Sequence, residues 1–150
     1  MPERVRSVLD YITTRYLVPE DLRNIDFDAA AAESGQAIES DKREAIKREK
    51  ARADELAGPF QDGLIRAYRA QQAGEREIAL DDRDPTENAI ADALIHALVR
   101  IDLAASTSEE TEPFHYVYRI TVDWVRLIAV AGRAGVDLDA TLSTLINSQP

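Results

Sequence analysis

A chain of 150 residues, 45% of them hydrophobic, is long enough to bury a core and too apolar for intrinsic disorder. Its formal net charge of -10 argues against nucleic acid as a partner, because phosphate contacts need a basic surface. With no cysteine there is no disulfide framework, thiolate metal site or cysteine nucleophile, which suits the cytoplasm.

Further exclusions follow. The N-terminal residues lack the apolar run of a signal peptide, and the most apolar stretch, 124–131, is too short to span a membrane. Arg outnumbers Lys fifteen to three in an Ala-rich chain, a composition typical of GC-rich bacterial genomes. Six Gly and six Pro give little turn chemistry for a sheet. The expected class is therefore all-α, a single-domain bundle of five or six helices.

In chain order, Val5, Val8, Leu9, Ile12 and Tyr16 recur every three or four residues and predict a first helix over 2–16. Val18-Pro19 ends it, and Asp26 is a candidate cap for a helix through the Ala29–Ala32 run. Residues 40–55 are almost continuously charged with a thin apolar stripe, which predicts an arm-like helix that touches the core lightly or meets a partner chain. Leu56, Phe60, Leu64 and Tyr68 carry the helical period across Gly58-Pro59, where a bend or short break is expected.

Residues 75–84 read as an acidic connector. Asp84-Pro85-Thr86-Glu87 is the clearest helix start in the chain, with a capping Asp, a first-turn Pro and a Glu three residues after the cap. The helix that follows, to about Leu103, is broadly apolar and expected to be central. Residues 106–112 read as a polar loop, and 114–134 as a second broadly apolar central helix closed by Gly135. Asp137 then caps a last short helix carrying Leu138, Leu142, Leu145 and Ile146.

Three constellations are candidates for chemistry. Asp92 and His96 lie one helical turn apart, so they could give two ligands to a divalent metal or a carboxylate-oriented base; a solvated pair worth a few tenths of a kcal/mol is the plainer alternative. On the expected 114–134 helix, His115, Arg119, Arg126 and Arg133 form a basic stripe in an acidic chain. It would bind an anion or pair with acids of 75–87 or 109–112. The carboxylates Glu75, Glu77, Asp81, Asp82, Asp84 and Glu87 contain no Gly for a calcium-loop turn, and capping and solubility account for them. No GxSxG, Walker, GxGxxG or HExxH pattern is present.

Two segments resemble the MazG-like all-α nucleoside triphosphate pyrophosphatases: Ile90-Ala91-Asp92-Ala93-Leu94-Ile95-His96-Ala97-Leu98, and Asp123 to Ile128 with Gly135-Val136-Asp137-Leu138-Asp139-Ala140 and Asn147. The resemblance implies a dimeric helical bundle that holds Mg²⁺ on clustered carboxylates and cleaves a nucleotide between its α and β phosphates. It would place Asp92, Asp123 and Glu55 or Glu87 on the metal, with His96 or Arg119 and Arg126 on phosphate. The sequence departs from the family where the Glu of ExxD would stand, at Ala89 or Ile120, and no helical ExxE is present. The leading expectation is accordingly a non-catalytic protein acting through self-association, as a homodimer, or through binding another protein. A divergent Mg-dependent pyrophosphohydrolase is the alternative.

Overall fold

The computed structural model describes residues 2–17 and 36–147, with side chains described for 3–17 and 43–147. The expected helix at 26–32 lies outside the described residues. Helix α1, Pro2–Ile12, buries Val5, Val8, Leu9 and Ile12, then widens over Thr13–Leu17 into a π-helical turn. There the buried Thr13 hydroxyl donates to the Leu9 carbonyl at 2.8 Å.

Helix α2 runs unbroken from Gln36 to Gln72, so the break expected near Gly58 does not occur. Pro59 cannot donate to the carbonyl four residues back, but Gly58 has no Cβ to clash with the proline ring. Leu56, Phe60, Leu64 and Tyr68 are all buried on either side of the junction, and that burial holds the helix together. The charged half of α2 packs along helix α3, Pro85–Ala97, within the same chain.

Asp84 caps α3 as the sequence indicates, accepting from the N–H groups of Thr86 and Glu87 at 2.9 and 3.2 Å. Glu87 reaches back to accept from the Asp81 N–H at 3.0 Å, fastening the preceding segment to the helix. Helix α3 ends sooner than expected. A 3₁₀ turn, Val99–Ile101, and the left-handed Asp102 (φ 61°) redirect the chain.

The all-α expectation is wrong at three places, because the described residues include a three-stranded antiparallel sheet beside five α-helices. The acidic connector holds β1, Ile78–Asp81; the polar loop is β2, Ala104–Glu112; and the first half of the expected 114–134 helix is β3, His115–Val122. The strand order is β1-β3-β2. In β3 the larger side chains Tyr116, Tyr118, Ile120 and Val122 alternate onto one face, a period of two. Phe114, Val117 and Tyr118 also fall at helical spacing, which disguised it.

Where the 114–134 helix is expected to begin, the chain instead makes the hairpin turn, with Phe114 at φ 67° in the left-handed region. Two short helices complete the chain. Helix α4, Trp124–Arg133, is capped by Asp123, and α5, Leu138–Asn147, follows Gly135 (φ 79°). The core joins α1 and α2 to Leu80, Ile90, Leu94, Leu98, Ile120, Leu127, Leu138 and Leu142. Ala79, Arg119 and Thr121 lie on the opposite, solvent-facing side of the sheet.

Candidate functional site

The sheet divides the expected basic stripe. His115 and Arg119 lie on β3 and Arg126 and Arg133 on α4, so they do not form one helical face. His115 Nδ1 lies 3.5 Å from Asp82 Oδ1. Arg119 lies between Glu77 at 3.4 Å and Glu109 at 3.8 Å.

Asp92 and His96 face the charged half of α2. Asp92 is ion-paired with Arg52, which also binds Glu55 at 3.0 Å, so two of the carboxylates implied for a metal grip one guanidinium instead. His96 is largely enclosed. Its Nε2 lies 3.4 Å from Glu49 Oε2, and Arg100 approaches its Nδ1 at 2.9 Å. Burial and then the Arg100 charge hold the imidazole below its ordinary pKa, outweighing the opposite pull of Glu49. A neutral ring also fits Arg100 donating to Nδ1. Glu49 Oε2 is buried without a hydrogen-bond partner among the described residues.

Asp123 is occupied elsewhere, accepting from the Arg126 N–H at 3.2 Å as the cap of α4. Among the described residues no three His, Asp or Glu side chains are grouped to hold a metal ion.

A broad concavity among the described residues lies where the C-terminal end of α2 meets the edge of β1. It is an open groove of 1110 Å³, and four guanidinium groups, Arg66, Arg69, Arg76 and Arg119, surround it. Two carboxylates, Glu75 and Glu77, also line it, which leaves it locally cationic in an anionic chain. Ala70, Ala73, Ile78 and Leu80 give it an apolar floor. Among the described residues, Arg66 and Arg76 make no ion pair.

Glu77, Ile78, Ala79 and Leu80 line this groove in unbroken succession, so it follows the strand's backbone edge and not one face of the sheet. The Asp82 N–H bonds the Tyr116 carbonyl at 3.0 Å, so even-numbered residues of β1 hydrogen-bond inward to β3. Odd-numbered residues then point outward. Asp81 gives its N–H to Glu87, while the N–H and C=O of Ala79 are directed to the unpaired edge. An extended segment could pair there.

The sequence reading found Arg119 and missed Arg66, Arg69 and Arg76. The available signal was the stretch 63–74, which holds two Arg and no acid, followed by Arg76.

Fold and groove together define an α+β protein whose small sheet presents an arginine-lined edge. Comparison of the chain with protein-family models, curated proteins and solved structures finds no match. No helix among the described residues is long and apolar enough to cross a membrane.

Proposed function

We propose that this chain acts in the cytoplasm by protein association, without catalysis, and that its arginine groove receives an extended acidic segment from a second copy. The carrying observation is the set of four guanidinium groups around an open strand edge in a chain of net charge -10. A complementary segment lies on the same molecule. The β2–β3 hairpin presents Glu110 beside Phe114, which is 88% exposed at the tip, while Glu109 and Glu112 lie near Arg119 and Arg83 of their own chain. Acids suit the guanidinium rim, the ring suits the alanine and aliphatic floor, and the backbone of Ala79 offers strand pairing. Reciprocal exchange of hairpins would close a symmetric dimer.

Light scattering after size exclusion tests this over a range of concentration and salt. The expected result is a dimer that weakens as salt screens the charges. The Arg66→Glu/Arg76→Glu variant should be a folded monomer, and adding Glu110→Arg should recover association. A wild-type chain that stays monomeric at high concentration overturns the reading. So does a charge-reversed variant that dimerises as well as the wild type.

A further inference from the structure

Arg126 and Arg133 draw attention by the acceptors they use. Arg6, Arg52, Arg83, Arg100 and Arg119 each lie within 4 Å of at least one carboxylate oxygen. Arg126 and Arg133 do not, among the described residues, although the chain holds 28 Asp and Glu. Arg126 Nη1 donates to the Asp102 carbonyl at 2.7 Å, and Arg133 Nη1 donates to the Tyr16 hydroxyl at 3.1 Å. Both acceptors are neutral, so neither positive charge is met by a bonded anion among the described residues.

The two guanidinium groups line one slot of 180 Å³ between α4, the end of the N-terminal helical segment and the turn that leads into β2. Tyr16 is at its wall, and Ile101, Leu103, Ala129 and Val130 supply apolar surface. Leu103 and Val130 are buried. The volume falls below the ~300–1,000 Å³ of pockets for drug-sized ligands, leaving room for one small molecule. A guanidinium presents five N–H donors in a planar fork, and each of these two makes one side-chain hydrogen bond among the described residues, so donors remain for a ligand oxygen.

We infer that this slot is a binding site for one small oxyanion, a carboxylate or a phosphate, held between Arg126 and Arg133 with its body against Leu103 and Val130. The inference is independent of the dimer reading, since neither arginine belongs to the groove beside β1.

Titration of ¹⁵N-labelled protein with acetate, benzoate and inorganic phosphate, followed at the arginine Nε–H signals, tests the assignment. Saturable shifts at Arg126 and Arg133, with Arg66 unmoved, are expected for at least one probe. A preference for benzoate marks a carboxylate with an apolar body, and a preference for phosphate marks the inorganic or esterified anion. Arg133→Gln should weaken binding about tenfold or more. Ala129→Leu, which fills the slot from an exposed position and keeps both charges, should also block binding without unfolding the chain. The assignment is overturned if shifts rise linearly without saturating, if chloride reproduces them, or if both variants bind as the wild type does.

Discussion

Gly63 of α2 lies hard against Leu94 and Ile90 of α3, and its substitution measures that contact. A Cβ added there would stand 2.9 Å from Leu94 Cγ and 3.0 Å from both Leu94 Cδ1 and Ile90 Cγ2. Leu94 and Ile90 are fully buried, so neither can swing into solvent to make room. Replacing Gly by Ala in a helix normally stabilises it by about 1 kcal/mol, while one extra methyl in a filled core costs about 1–3 kcal/mol. For Gly63→Ala the two nearly cancel or leave a net loss of up to ~2 kcal/mol.

Gly132 in α4 supplies the control, because a Cβ there meets nothing within 4 Å. Gly132→Ala should stabilise by a few tenths to about 1 kcal/mol. Helix propensity drops out of the difference between the two variants, which isolates the packing cost. At a urea m-value of about 2 kcal/mol/M, the midpoints should separate by roughly 0.5–1.5 M. In a Leu94→Ala background, Gly63→Ala should change sign and stabilise. Equal gains from Gly63→Ala and Gly132→Ala would refute the close-packed reading of this crossing.

Removing the Asp84 cap (Asp84→Ala) should cost about 1 kcal/mol in urea unfolding, and Asp84→Asn should recover most of it; equal losses would place the effect outside the cap. Phe114→Gly relieves a left-handed residue and should raise the melting temperature by an amount matching about 1 kcal/mol, while weakening any dimer seen by light scattering. If it lowers both, the ring serves the fold.

The folded His96 ring has a lowered pKa. Below about pH 6.5 the unfolded chain therefore takes up a proton that the folded chain refuses, and stability falls with pH across that window. Urea midpoints from pH 7.5 to 5.5 should slope for the wild type and flatten in His96→Gln; an unchanged slope sinks the assignment. A separate loss belongs to Asp81, which hydrogen bonds from Arg83 hold at about 2. Its contribution is present above about pH 4 and fades towards pH 2.

Two helix N-caps were the most legible parts of the sequence. Asp84 and Asp137 cap helices because a short side-chain oxygen satisfies local N–H groups, and local chemistry is written locally. The sheet was not legible for the opposite reason. Strand β2 is chiefly Ser, Thr and Glu with no buried alternation, and becomes a strand only by pairing with β3. Strand β1 has four residues, and it joins β3 through distant pairs such as Ile78 with Ile120. That pairing also assembles the groove, setting Arg119 beside Arg66, Arg69 and Arg76. A stripe argument on one helix could not find it. The face carrying Asp92 and His96 was correctly placed on α3, but its partners on α2 follow from tertiary packing.

The position of α1 has a consequence for synthesis. Its apolar stripe of Val5, Val8, Leu9 and Ile12 rests on α2, α4 and α5. On a ribosome those side chains emerge well before residues 124–147 exist to cover them. Until they do, at a rate of about 5–20 residues per second, the nascent chain carries a helix that α2 covers only in part. That interval is when holdase chaperones have a stripe to grip, and when a stalled or truncated product is most prone to aggregate.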